Sequence, residues 1–151
     1  VLSITNVNGF KNCMCSEKNL AKALARMTYA FANATCAKVN MITGEAYGSP
    51  YVFMNSKSIG ADLVYAWNDA KIGTMDSTMA AKIMYPDADA AEIKEKASEY
   101  EKLQSSATSA AARGYVDRII EPADSRKYLV AAFEMLYTKY VGEPEKKHGT
   151  K

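Results

Sequence analysis

Val39-Asn-Met-Ile-Thr-Gly-Glu-Ala-Tyr-Gly-Ser-Pro-Tyr-Val-Phe-Met54 opens on a short apolar run, passes two glycines and closes on a second apolar run. Val39 to Thr43 reads as a buried strand, and Gly44 and Gly48 punctuate a turn. Ser49-Pro50 reads as an N-cap followed by proline at the first helical position, starting a helix over about 50–58. A strand that ends in a glycine turn and opens into a helix aims backbone N–H groups out of the end of a sheet. Such donors can hold a developing oxyanion. The same residues also fit a plain corner, with Gly48 making the turn and Ser49 and Pro50 only starting the helix.

The flanking sequence repeats this strand-then-helix rhythm. Toward the N-terminus, a strand over about 1–5 precedes the connection Asn6 to Cys15 and a helix opened by Ser16, with Leu20, Leu24, Met27 and Phe31 at helical spacing. That stripe should face a sheet. Toward the C-terminus, Asp62 to Trp67 and Ala70 to Met75 are strand candidates. A helix over about 77–84 follows, capped by Asp76 or Ser77 and closed by Pro86. Asp87 caps a polar helix, Ala88 to Gln104, whose alternating charges make a solvated face. Val116 to Ile120 is a last strand. After Pro122 a helix carries Leu129, Ala132, Phe133, Leu136 and Tyr140 on one face. Strands alternating with helices imply βαβ crossovers, so the fold class is α/β with a largely parallel sheet flanked by helices. Residues 1–140 form one domain, and 141–151 read as a disordered tail.

Composition bounds the chemistry. The 151 residues are 48% hydrophobic and 24% charged, the balance of a globular domain, and the net charge of +2 is too small to make a polyanion-binding field. Nucleic acid is therefore disfavoured as a partner. No apolar run approaches the ~18 residues that span a bilayer, so no membrane contact by this chain is expected. The single histidine, His148, sits in the polar tail, which excludes a buried Ser-His-Asp or Cys-His pair and any multi-histidine metal site. Cys13, Cys15 and Cys36 are odd in number and offer no Cys-x-x-Cys spacing, so reduced thiols and a cytoplasmic location are expected, with no metal. The start at Val1, without methionine and directly in a strand, suggests a piece of something longer.

Five segments, in order and at matching spacing over residues 1 to about 140, carry a resemblance. They are Asn6-Val-Asn-Gly-Phe10, Lys38 to Met54, Ser56 to Trp67, Ala70 to Met75, and Ala111-Ala-Arg-Gly-Tyr-Val-Asp-Arg-Ile-Ile-Glu-Pro122 with Ser125-Arg126. The chain resembles the C-terminal half of the carboxyltransferase subunit of biotin-dependent acyl-CoA carboxylases and of the related decarboxylases, in the crotonase-like superfamily. The resemblance implies a crotonase/ClpP-like fold of repeated ββα units. It also implies an active site between an N-terminal domain that holds the acyl-CoA and a C-terminal domain that receives carboxybiotin from a biotinylated carrier protein. This chain would be the biotin-side half, a carboxyltransferase by activity, in a homo-oligomer, and inactive when isolated. No histidine is needed, because backbone N–H groups can stabilise the two carbonyl oxygens on which charge develops. By the resemblance the biotin-carbonyl donors align with Ser49 and Pro50, preceded by Gly48. Tyr47, Tyr51, Val52, Asp76 and Ser77 then fall in the adjacent substrate-binding positions.

The chain departs from the family pattern in three places. Tyr47-Gly-Ser-Pro-Tyr51 stands where Tyr/Phe-Gly-Gly-Ala-Tyr is usual, and proline has no N–H to donate. Asp76-Ser-Thr-Met79 replaces a Gly-Pro-Glu-Gly-type turn, where an acidic residue either opposes an anionic ligand or caps a helix. Lys11 to Ser16 replaces a glycine-rich stretch. These departures motivate a rival reading, a scaffold that has lost its chemistry and serves as an assembly module. A third reading, a hydratase or isomerase, needs paired carboxylates, for which Glu45 alone is near. Lesser candidates are Arg113 with Asp117 as a functional ion pair, Lys57 as a phosphate-attracting cation, Trp67, Tyr65 and Tyr47 as rings that stack on a cofactor, and Cys13 with Cys15 as a soft-metal pair. Each also has an ordinary structural reading, as a helix-end arginine and structural carboxylate, a solvated charge, core aromatics and plain thiols.

Overall fold

The computed structural model describes residues 1–142. Five strands form one sheet: β1 (Leu2–Val7), β2 (Val39–Tyr47), β3 (Leu63–Trp67), β4 (Lys71–Gly73) and β5 (Arg118–Ile120). Every pairing is parallel, in the order β1-β2-β3-β5, with β4 beside the far half of β2. The helices between them are α1 (Met14–Asn33), α2 (Gly48–Phe53), α3 (Ser77–Met84), α4 (Ala90–Tyr100), α5 (Ala107–Ala112) and α6 (Ser125–Met135). This is the α/β class the alternation of elements predicts, and β3-β4-α3 is one ββα unit.

Side-chain alternation along a strand divides the core in two. On one face Ile42, Ala46, Val64, Ala66 and Ile72 pack under α2 and α5, with Tyr51, Ala107 and Ala110. On the other face Val39, Met41, Tyr65 and Ile120 pack against Ala132, with Leu129 and Phe133 of α6 and Leu136 just after it around them. With helices over both faces, the strands read as near-continuous apolar runs, as a buried parallel sheet requires.

The structure corrects several local expectations. β2 does not turn at Gly44 but continues to Tyr47. The register between β1 and β2 slips between Thr5 and Val7, where Asn6 Oδ1 accepts the Glu45 N–H at 3.0 Å. A Cβ on Gly44 would lie 2.7 Å from that oxygen, so the glycine serves a bulge and a close approach rather than a corner. α2 starts at Gly48, which places Pro50 third rather than first in the helix, and it ends at Phe53 instead of 58. Asn55, at φ +57°, turns the chain into a separate short 3-10 turn, Lys57–Ile59.

Asp89, not Asp87, caps α4, through the Ala91 and Glu92 N–H groups at 2.9 and 2.8 Å. That helix gives way after Tyr100 to a π-helical turn, Glu101–Ser105. α1 opens at Met14 rather than Ser16 and buries no residue completely. Its stripe of Leu20, Leu24, Met27 and Phe31 is half-buried, and the helix lies against α2 and the 3-10 turn. Tyr140 falls beyond α6 and is 90% exposed, so it does not join Leu129 and Phe133. The tail expected over 141–151 lies outside the described residues from 143 onward.

Candidate functional site

The corner between β2 and α2 is built on a glycine that no other residue replaces without strain. Gly48 has φ +63°, and a Cβ there would stand 3.1 Å from the Thr74 carbonyl oxygen of the neighbouring β4 edge. Both facts demand glycine. The first N–H groups of a helix have no acceptor within it. In α2 these positions fall on Gly48 and Ser49 and then on Pro50, which has none to offer.

In front of this corner lies a cavity of about 580 Å³. Gly48 and Ser49 stand on its wall with Tyr51, Val52 and Phe53 of α2, and Ile72, Gly73 and Thr74 of the β4 end close the adjacent side. The rest of the lining comes from Tyr100 and Gln104 around the π-helical turn, to which the sequence reading gives no role, and from Arg113 and Tyr115 after α5, where the sequence reads Arg113 only as a partner of Asp117. The cavity therefore sits beyond the carboxyl ends of β2 and β4, where open parallel sheets bind their ligands.

The expected site residues divide sharply. Gly48, Ser49, Tyr51 and Val52 line this one cavity, whereas Pro50, Tyr47, Asp76 and Ser77 do not. Pro50 is buried on the inner side of α2. Asp76 caps α3, its Oδ1 accepting the Thr78 and Met79 N–H groups at 2.9 and 3.3 Å. Ser77 is buried and its hydroxyl donates to Glu101 Oε2 at 3.4 Å, while Glu101 pairs with Lys71 at 3.0 Å. Burial, together with the carboxylates of Asp76, Glu101 and Glu45, pushes the Tyr47 hydroxyl up to about 12, so it stays neutral. Burial, with Tyr115 nearby, pushes Tyr51 up to about 12 as well, and the Tyr51 hydroxyl oxygen has no hydrogen-bond partner among the described residues.

The lesser candidates are absorbed by the scaffold. Arg113 does not pair with Asp117. The Asp117 carboxylate instead takes Lys57 Nζ at 2.8 Å on each oxygen and the Val64 N–H at 2.7 Å, which also removes Lys57 as a free phosphate-attracting cation. Trp67 donates its indole N–H to Ser125 Oγ at 2.9 Å, and Tyr65 meets Tyr128 ring to ring at 5.9 Å. Cys13, Cys15 and Cys36 are free thiols, and among the described residues no cluster of three or more His, Cys, Asp or Glu side chains forms. Nor is any described helix long and apolar enough to cross a membrane.

A family model for the carboxyl transferase domain matches residues 1–150. The putative propionyl-CoA carboxylase beta chain of Bacillus subtilis is 44% identical over 99% of this chain and 31% of its own length. The methylmalonyl-CoA decarboxylase subunit alpha of Propionigenium modestum is 42% identical over 99% of this chain and 30% of its own. A crystal structure of transcarboxylase 12S, described as a hexamer assembly with methylmalonyl-coenzyme A and methylmalonic acid bound, superposes with a TM-score of 0.92 at 37% identity, over 98% of this chain and 29% of that one. The chain thus spans about three tenths of the length of the curated relatives it matches.

Proposed function

The chain belongs to the carboxyl transferase domain family, and from that premise we propose that it is the biotin-side half of a carboxyltransferase. It moves a carboxyl group between carboxybiotin and a short acyl-CoA, in a carboxylase or in a methylmalonyl- or glutaconyl-type decarboxylase. It works with an N-terminal acyl-CoA-binding domain and a biotinylated carrier protein in the cytoplasm, as part of a homo-oligomer.

The observation that carries this reading is the cavity lined by Gly48 and Ser49, at the end of a parallel sheet in a chain of this family. The residues present suit a ureido ring: Val52, Phe53 and Ile72 give an apolar wall, and Gly48 and Ser49, the first two residues of α2, line the same cavity. Bound biotin supplies the ureido nitrogen that carries the carboxyl group. The protein's part is to seat the ring and to set N–H dipoles, already oriented, against the oxygen on which negative charge develops. Exposed apolar side chains, Leu2, Ile4, Val130 and Tyr137 among them, fit a chain that covers part of its surface with other domains or other copies.

The test is reconstitution. The chain is mixed with the acyl-CoA-binding half, and carboxyl transfer between biocytin and a malonyl-type CoA ester is measured. Turnover above that of either half alone is expected, and its absence counts against the proposal. The position of Pro50 favours a second reading, a catalytically degenerate assembly module, because losing one preorganised donor costs on the order of 10²- to 10³-fold in rate. Replacing Ser49-Pro50 by Gly-Ala separates the two: a sharp gain marks a crippled enzyme, and continued silence marks a scaffold.

A further inference from the structure

Among the described residues, Arg113 is the one charged side chain lining the cavity, and no acidic residue lines it. Its place is set by the backbone. α5 ends with Gly114 at φ +81°, the Gly114 N–H donating to Ala111 O and the Tyr115 N–H to Ala110 O, both at 3.0 Å, the double closure of a Schellman motif. That closure fixes Arg113 and Tyr115 at the cavity wall.

The guanidinium is aimed by a second device. Arg113 Nη2 donates to Gln104 Oε1, and Gln104 belongs to the π-helical turn Glu101–Ser105. This turn is itself pinned to α5: Ser106 Oγ donates to Lys102 O at 3.2 Å, and Ser109 Oγ donates to Leu103 O at 2.8 Å. A π turn is seldom used and frequently marks a functional site. Guanidinium has five N–H donors, of which Gln104 takes one, and no carboxylate pairs with Arg113 among the described residues.

A cation held by a neutral partner keeps its full charge for a ligand. From this geometry we infer that Arg113, oriented by Gln104, recognises the carboxylate of the ligand that enters the cavity it shares with Gly48 and Ser49. The class of ligand rests on the carboxyltransferase reading. Its carboxylate lies in the fork of Arg113, whose paired donors match two oxygens, while its carbonyl faces the main-chain end of the cavity.

Binding tests this apart from turnover. Malonate and its uncharged analogue malonamide are titrated against the chain, and saturation-transfer NMR on their methylene protons reads the affinity. Wild type is expected to bind malonate and to bind malonamide at least tenfold more weakly. Arg113→Gln should lose about tenfold in malonate affinity. Arg113→Lys should fall between, and Gln104→Leu should lose several-fold although its charge is unchanged. Lys127→Gln, an exposed lysine on α6, should bind as wild type.

Equal binding of malonate and malonamide, an unchanged affinity in Arg113→Gln, or an equal loss in Lys127→Gln each overturns the assignment. A chain that binds malonate through Arg113 yet supports no carboxyl transfer keeps this assignment while the proposed reaction fails. A chain that turns over with an indifferent Arg113 does the reverse.

Discussion

Lys57 Nζ lies 2.8 Å from both carboxylate oxygens of Asp117, sixty residues away, and the same carboxylate accepts the Val64 N–H at 2.7 Å. One aspartate thereby ties the 3-10 turn, the start of β3 and the entry to β5 together, while the Asp117 N–H returns to Val64 O at 2.9 Å. The exposed ion pair contributes little, because solvent screens it. The bond to Val64, which is fully buried, matters more. Asp117→Ala is expected to lower stability by about 1 to 3 kcal/mol, since it leaves a buried N–H without its acceptor. Lys57→Ala should cost no more than about 1 kcal/mol. Urea denaturation of the two variants checks the ranking, and an equal loss in both would reassign the energy to the ion pair.

Pro50 occupies the third position of α2 and deprives the corner of an N–H. In the reconstituted enzyme Pro50→Ala should raise the rate of carboxyl transfer, by up to on the order of 10²-fold if the restored N–H reaches the reacting oxygen. The same change should cost about 0.4 to 1 kcal/mol of stability, because the unfolded chain regains freedom. Steady-state rates and thermal melts on one preparation measure both signs.

Tyr51 places a hydroxyl in the core with no partner among the described residues. Tyr51→Phe is therefore expected to leave stability unchanged or raise it by up to about 1 kcal/mol, against the usual loss on removing a core atom. In the wild type, burial holds the Tyr51 and Tyr47 hydroxyls neutral up to about 12. Both folded pKa values stand above the unfolded value of about 10, so their contribution is whole below that pH and is lost as pH rises toward 12. Burial raises the Tyr65 hydroxyl as well, so alkaline titration followed at the tyrosinate absorbance should show late-ionising groups that include Tyr47, Tyr51 and Tyr65, with one fewer in Tyr51→Phe.

Asp62 gives the opposite pH dependence. Burial opposes its charge, but hydrogen bonds from Lys139 Nζ at 2.9 Å and the Lys38 N–H at 2.7 Å prevail and hold its carboxyl below the ordinary 3.8. A depressed folded value adds stability that is present above the unfolded pKa and lost as pH falls through the folded one. Asp62→Asn should therefore be less stable than wild type at neutral pH, and the gap should close in acid below 3.8. A melting-temperature difference that stays constant through that range would contradict this assignment.

Much of the strand and helix order was legible because it rests on local rules. Asp76 capping α3, the Pro86 stop and the 3.6-residue spacing of Leu129, Ala132 and Phe133 all act within a few residues of chain. The errors occurred where distant residues intervene. Gly44 reads as a corner until Asn6, thirty-eight positions earlier, is seen to take the neighbouring N–H. Arg113 and Asp117 read as a pair by proximity, yet the sheet brings Lys57 to one and the π turn brings Gln104 to the other.

The sequence by itself determined the alternation of strands and helices, the parallel sheet it demands, the glycine at position 48 and the absence of histidine from residues 1–142. Each is a matter of composition, period or permitted backbone angle. Only the tertiary structure decided that Gly48 and Ser49 share a cavity with Gln104 and Arg113 and that Pro50 faces inward. Which side chains enclose a space depends on crossovers that bring together segments more than fifty residues apart, and no local pattern encodes that distance.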